Sequence, residues 1–250
     1  LDYLFNPDFS KINAKAVAAA LGQAFFSLSL GFGTIMTYAS YVDKKENIMF
    51  QSTSTAVSDL MFALIAGVAI MPAVFAFGIS PQAGPGLVFE TLPYVFGQMP
   101  AGGFIAILFF VALLVAALTS SISMLEVAVA YLVEEKKFSR VWACVVLFAI
   151  CWVVGAVCSL SFGPFQDVKL LGMSIFDLFD YVSSNIFLPV GGMFISLFAG
   201  WYLDRHLLRD EITNGNTLRA PYFRVVIFIL RYIAPVAIGI ILLNQLGIFR

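Results

Sequence analysis

Charged residues are scarce in this sequence. They make up 12% of its 250 residues, and hydrophobic residues make up 61%; ordinary soluble domains have about 25% charged residues. A chain of this composition cannot hide its apolar surface from water, which excludes an ordinary soluble domain. The net charge is −1 and no basic run stands out, which argues against nucleic acid as a partner.

Cysteine and histidine are also scarce, and neither predicts a functional site. Cys144, Cys151 and Cys158 repeat every seven residues in an apolar stretch. On a helix they share one stripe but lie about 10 Å apart, which is too far for a disulfide. We interpret them as small packing residues. The single histidine, His206, lies in a predicted linker and is interpreted as a surface residue.

Long apolar segments are what the sequence has instead. Charged and turn residues separate six of them, and each exceeds the roughly 20 residues that a membrane crossing needs. We predict an all-α membrane protein, with a single transmembrane domain over 1–250. The six transmembrane helices are predicted at about 16–42, 48–80, 102–133, 141–162, 175–203 and 223–246.

Basic residues are concentrated in every second linker. The linkers after the first, third and fifth helices carry Lys44, Lys45, Lys136, Lys137, Arg140, Arg205, Arg209 and Arg219. The positive-inside rule makes these linkers cytoplasmic, so the first helix enters from outside. The linker at about 81–100 is too apolar for an ordinary solvated loop, and we predict that it folds back as a re-entrant outer lid.

Two closely spaced glycines lie in the middle of the first predicted helix. Ser27 with Gly31, and Ser29 with Gly33, form small-xxx-small pairs that let helices pack closely. Alternatively, Gly31-Phe32-Gly33 interrupts the helix and frees backbone carbonyl and amide groups that need a polar cavity. The spacing alone leaves both interpretations open.

Asp59 is the only charged residue of the second predicted helix. Inserting a carboxylate at this depth costs at least about 2.5–3.5 kcal/mol, so we expect Asp59 to face a partner or a cation. The polar residues 51–55 and Ser58 lie nearby. They offer the alternative that this end of the helix is hydrated and that Asp59 is merely solvated.

Hydroxyl and carboxyl groups recur at three further positions. Thr119, Ser120 and Ser121 either bond to carbonyl oxygens of their own helix or supply oxygen ligands to an alkali cation. Glu126 lies two turns further and is interpreted as packed or snorkelling rather than proton-coupling. Asp177 and Asp180 open the fifth helix, where they either stabilise its N-terminus or form a gate awaiting a cation.

Four segments carry a resemblance to a known family. They are Gly22-Gln-Ala-Phe-Phe-Ser-Leu-Ser-Leu-Gly-Phe-Gly-Thr-Ile-Met-Thr-Tyr-Ala-Ser-Tyr41, the Ala-Gly-Val-Ala-Ile-Met-Pro run at 66–72, Ala-Ala-Leu-Thr-Ser-Ser at 116–121, and Asp-Leu-Phe-Asp at 177–180. They resemble helices six, seven, eight and ten of bacterial members of the neurotransmitter:sodium symporter family. The resemblance implies the leucine-transporter fold, with helices six to eleven forming its second inverted repeat plus one extra helix.

The resemblance implies two sodium sites. It places Ser27 and Asp59 at the first site. Ser58 is a second candidate for the position of Asp59, because the two residues are adjacent in the sequence. It places the Ala116 carbonyl, Thr119 and Ser120 at the second site.

The resemblance also implies a substrate pocket and two gates. The pocket is lined by residues on the first and third predicted helices, namely Phe26, Ser29, Phe32, Ser120 and Met124. Tyr41 and Glu134 match the cytoplasmic gate, and Asp180 matches the outer carboxylate. The side chains of Phe26, Phe32 and Met124 favour an apolar or aromatic amino acid.

The implied function is sodium-coupled symport of an amino acid by alternating access across the cell inner (plasma) membrane, and not enzymatic catalysis. Leu1 is neither an initiator methionine nor part of a signal peptide, so we expect the chain to begin in mid-protein. The resemblance implies that helices one to five of the parent chain precede it. Those helices would complete both sodium sites. Two alternatives are an intramembrane enzyme using Asp59 and Glu126 as a carboxylate pair, and a scaffold homologue without transport.

Overall fold

The computed structural model describes residues 5, 6, 8–43, 46–76 and 87–245, and these residues are almost entirely helical. The helices are α1 (Ala14–Ser27), α2 (Thr34–Tyr41), α3 (Ile48–Ala76), α4 (Leu92–Gln98), α5 (Gly102–Glu134), α6 (Arg140–Leu160), α7 (Ile175–Tyr202), α8 (Arg205–Thr213) and α9 (Phe223–Asn244). A short antiparallel pair, β1 (Lys169–Leu170) and β2 (Met173–Ser174), lies between α6 and α7.

Within the described ranges, five helices are long and apolar enough to cross a membrane: α3, α5, α6, α7 and α9. Their surfaces carry many exposed large apolar side chains, including Phe62, Trp142 and Phe194. Such surfaces suit lipid and not water. The prediction of an all-α membrane protein is confirmed. The remaining predicted span, 16–42, consists of α1 and α2, which are separated by residues 28–33.

The chain packs as two compact units. The first comprises Leu1–Lys11 and Thr53–Ile122, and the second comprises Ile12–Ser52 and Ser123–Arg250, so α5 contributes to both. The single transmembrane domain stays a prediction.

Aromatic side chains pack α4 against α5 in the first unit. The rings of Phe96 and Phe109 have centroids 5.4 Å apart, and Phe110 lies 5.3 Å from Phe109. A Cβ on Gly102 would fall 1.6 Å from the Phe96 carbonyl oxygen, so only glycine lets α4 approach the start of α5 this closely. Residues 81–86 of the predicted lid lie outside the described ranges, and 87–98 are helical.

The second unit is centred on α7, which packs against α1 and α9. Leu188, Ile238 and Ile241 are among its buried apolar residues. Wide π-helical turns precede two prolines: Tyr181–Phe187 lies before Pro189, and Ile229–Ile233 lies before Pro235. Proline lacks an N–H and its ring clashes with the carbonyl four residues earlier, so a wider turn relieves the clash without ending the helix.

Candidate functional site

The segment between α1 and α2 has a backbone that an uninterrupted helix cannot adopt. Ser29, Gly31 and Gly33 have positive φ angles of 51°, 96° and 84°. Glycine adopts such angles without a steric penalty, which explains two of the three positions. The amide of Leu30 bonds to the Phe25 carbonyl at 2.9 Å and closes the end of α1. Of the two interpretations of Gly31-Phe32-Gly33, the structure therefore shows the interrupted helix.

The interrupted segment also packs tightly against α7. A Cβ on Gly31 would lie 2.2 Å from the Leu188 carbonyl oxygen, and a Cβ on Gly191 would lie 2.2 Å from the Gly31 carbonyl oxygen. At the next residue of α7, a Cβ on Gly192 would lie 2.6 Å from the Phe25 ring. Backbone therefore meets backbone at Gly31, where no side chain would fit between the interruption and α7.

A groove beside the interruption contains two of the predicted substrate residues. It has a volume of about 480 Å³, and it is lined by Phe32, Thr34, Met124, Val127, Ala128 and Tyr131. Thr34 is only 6% exposed, and among the described residues its hydroxyl has no hydrogen-bond partner. Phe26, which is 49% exposed, lies in the last turn of α1, and Ser29 lies in the interruption. The structure therefore brings Phe32 and Met124 to one surface.

Thr119 and Ala116, predicted as ligands of a second sodium ion, are bonded to each other in α5. The Thr119 hydroxyl donates to the Ala116 carbonyl at 2.8 Å, and the Ser121 hydroxyl donates to the Ala117 carbonyl at 2.8 Å. Both bonds are the local kind that helix hydroxyls commonly form. Ser120 is exposed.

Asp59 lies in α3, in the first unit, and is partly buried, whereas the adjacent Ser58 is exposed. Among the described residues, no group of three or more His, Cys, Asp or Glu side chains could hold a metal ion.

Glu126 is the centre of a polar network at the end of α2, and the sequence did not predict this role. The Tyr41 hydroxyl donates to one Glu126 oxygen at 2.8 Å, and Arg140 binds the other at 2.7 Å. One turn earlier, Tyr38 donates to Ser123. Two hydrogen bonds therefore tie α2 to α5, and Arg140 of α6 balances the Glu126 charge. Glu134, predicted at the same gate, is exposed.

The two acidic residues at the start of α7 have different surroundings. Ser174 caps the helix by accepting a bond from the Asp177 amide at 3.1 Å, and its hydroxyl donates to the Asp177 carboxylate at 2.7 Å. Asp177 is thus part of an N-terminal cap. Asp180 is exposed and accepts a bond from the Ser184 hydroxyl at 3.1 Å.

Known proteins resemble this chain along almost its whole length. The family model described as Sodium:neurotransmitter symporter family matches residues 1–249. The Uncharacterized sodium-dependent transporter YhdH of Bacillus subtilis is 41% identical over 249 residues, which is 98% of this chain and 54% of that protein. An Uncharacterized sodium-dependent transporter of Haemophilus influenzae is 36% identical over 249 residues, covering 98% of this chain and 53% of that protein.

A solved structure shows the same arrangement of helices. The crystal structure of MhsT in complex with L-phenylalanine has a TM-score of 0.87 and 42% sequence identity, and the match covers 98% of this chain and 55% of that chain. The chain therefore spans about half the length of the relatives that it matches.

Proposed function

Because this chain belongs to the sodium:neurotransmitter symporter family, we propose that it forms part of a sodium-coupled amino-acid symporter that works by alternating access. The observation that carries the proposal is the interruption between α1 and α2, where three residues with positive φ angles lie beside an open groove. Backbone groups freed inside a membrane must be satisfied by protein, water or a ligand. A transported amino acid and its coupling ion can supply those partners.

We assign the cation ligands to the oxygens described above. Ser27 and Asp59 contribute to a first sodium site, and the Ala116 carbonyl, Thr119 and Ser120 contribute to a second. The partial burial of Asp59 supports it over Ser58, since a ligand should point away from lipid. Helices one to five of a longer parent chain complete both sites, a proposal supported by the half-length coverage of the relatives.

The substrate is an apolar or aromatic amino acid. Phe32 and Met124 line one groove, Phe26 lies in the last turn of α1, and Ser29 lies in the interruption. Ser120 belongs to the same proposed pocket. MhsT, which is similar to this chain, was crystallised with L-phenylalanine, and that observation supports the assignment.

The cytoplasmic gate includes the end of α2. While Tyr41 is bonded to Glu126, α2 stays against α5; opening the cytoplasmic side requires this bond to break. Glu134 joins the gate from the last residue of α5, and Asp180 provides the outer carboxylate. Both carboxylate oxygens of Glu126 accept hydrogen bonds, one from Tyr41 and one from Arg140, which argues against Glu126 acting with Asp59 as a catalytic pair. Transport in the cell inner membrane is therefore favoured over catalysis.

The direct test is uptake by the full-length protein in proteoliposomes. We expect an inward sodium gradient, but not an equal potassium gradient, to drive accumulation of L-phenylalanine, and we expect unlabelled leucine to compete better than glutamate. Equal uptake with either cation would contradict sodium coupling. Residues 1–250 alone should show no substrate binding, because half of each site is then missing. Binding at the affinity of the full-length protein would contradict the proposed division of the sites.

A further inference from the structure

Arg231 lies within the membrane-spanning helix α9 and is held by Trp201 of α7. Its guanidinium carbon lies 4.4 Å from the centroid of the Trp201 ring, which is a cation–π distance. The indole N–H of Trp201 donates to the backbone carbonyl of Arg231 at 3.1 Å. The same tryptophan therefore fixes both the backbone and the side chain of Arg231.

The two helices are closely packed at this level. A Cβ on Gly200 would lie 3.0 Å from the Arg231 Cα, and the Ser196 hydroxyl donates to the Leu230 carbonyl at 2.8 Å. Little space therefore remains between the two backbones at this level. Trp201 is 55% exposed, and Tyr232, whose ring centroid lies 5.7 Å from that of Trp201, is 47% exposed.

The positive charge of Arg231 is not balanced within the described part of the chain. Its Nε is buried and has no hydrogen-bond partner among those residues. The sequence of α9 contains no Asp or Glu. A guanidinium group keeps its charge at all physiological pH values, so deprotonation cannot remove the imbalance. A cation in a membrane helix normally marks a site where a counter-charge binds.

Trp201 and Tyr202 indicate the depth of this site. They are the last two residues of α7, and the linker that follows carries Arg205, Arg209 and Arg219. The positive-inside rule places this end at the cytoplasmic face, where tryptophan and tyrosine typically lie among the lipid headgroups. Because Arg231 stacks on Trp201, it lies at the same depth, within reach of the headgroups of the inner leaflet.

We propose that Arg231 and Trp201 form a binding site for the phosphate group of an anionic phospholipid in the cytoplasmic leaflet. A guanidinium group binds phosphate oxygens through two parallel N–H bonds, and the Trp201 ring orients the group for that geometry. The apolar faces of α7 and α9, with Phe198 and Phe228 exposed, are suited to contact the acyl chains. A lipid fits better than a soluble anion because the surrounding rings are exposed and apolar.

The test compares lipid retention by purified full-length protein in detergent, measured by native mass spectrometry. Phosphatidylglycerol and phosphatidylcholine with identical acyl chains are added in equal amounts. We expect the wild type to retain phosphatidylglycerol preferentially. In Arg231→Gln, the ratio of retained phosphatidylglycerol to phosphatidylcholine should fall about fivefold, as expected for the loss of one basic residue at a charged interface. Arg209→Gln is the matched control, because it removes the same charge from the exposed helix α8 and should keep the preference.

Trp201→Leu provides a second variant that keeps the arginine. It removes the stacking ring and the bond to the Arg231 carbonyl, so we expect a reduced preference although the net charge is unchanged. Excess inorganic phosphate should not displace the lipid. The proposal is overturned if Trp201→Leu retains the wild-type preference for phosphatidylglycerol and a folded Arg231→Gln variant retains it as well. It is also overturned if Arg209→Gln loses as much as the site variants, or if inorganic phosphate displaces the lipid.

Discussion

Tyr41 of α2 and Glu126 of α5 are joined by a hydrogen bond of 2.8 Å, although 85 residues separate them in the chain. Arg140, at the start of α6, completes the network at 2.7 Å from the other Glu126 oxygen. Three helices are thus tied at one point, beside the proposed cytoplasmic gate. The strength of this network should influence how readily that side opens.

Tyr41→Phe tests the gate because it removes one hydroxyl and keeps the ring. Losing a hydrogen bond to a charged group costs about 1.5–3 kcal/mol, and we expect the loss to favour the inward-open state. Apparent sodium affinity, measured by scintillation-proximity binding of labelled substrate, should fall about fivefold or more. Tyr202→Phe removes a hydroxyl from the exposed end of α7 and should leave it unchanged. An unaltered sodium titration in Tyr41→Phe would remove Tyr41 from the gate.

Thr119→Val and Ser120→Ala test the second sodium site. A hard cation needs several oxygen ligands, so losing one hydroxyl should weaken binding of the ion without unfolding α5. We expect a lower apparent sodium affinity in uptake assays at near-normal expression. Ser121→Ala is the control, because it also removes a hydroxyl that bonds within α5 but is not assigned to the site. Identical sodium titrations for all three variants would contradict the assignment of Thr119 and Ser120.

The uninterrupted spans were predictable from sequence because lipid imposes a simple requirement, about 20 consecutive apolar residues. The break at Gly31-Phe32-Gly33 was not decided by sequence, since small residues serve close packing and interruption equally well. The structure shows the interrupted helix, and Gly31 in addition meets the backbone of α7.

The network at Glu126 was not predictable for a different reason. Its charge alone fits a packed, snorkelling or paired residue, and its partners, Tyr41 and Arg140, come from separate helices. Only tertiary structure brings them together. The available signal was weak: a carboxylate near the cytoplasmic end of one span, followed 14 residues later by an arginine at the start of the next.

Met124→Phe tests the groove. Met124 is 46% exposed and shares the groove with Phe32 and Thr34, so a larger, stiffer ring should reduce the space available to a substrate side chain. Changes of about one methylene group alter selectivity by roughly 1–3 kcal/mol. In competition uptake assays, we expect bulky amino acids to become weaker competitors relative to small ones. Met99→Phe, in the loop between α4 and α5, should leave the order of preference intact. An unchanged order in Met124→Phe would show that Met124 does not line the site.

Gly31→Ala and Gly33→Ala separate backbone strain from close packing. Both glycines have left-handed φ angles, 96° and 84°, so both variants should lose about 1–2 kcal/mol through strain. Only at Gly31 would the new Cβ also collide with backbone, 2.2 Å from the Leu188 carbonyl oxygen; at Gly33 the nearest atom is a Val127 methyl at 3.5 Å. We therefore expect the melting temperature in detergent to fall clearly further for Gly31→Ala. Gly155→Ala in α6, where a Cβ meets nothing within 4 Å, should be neutral or slightly stabilising because alanine favours helix. If Gly31→Ala and Gly33→Ala have the same melting temperature, the contact between the interrupted segment and α7 does not contribute to stability. In that case α1 can move independently of α7.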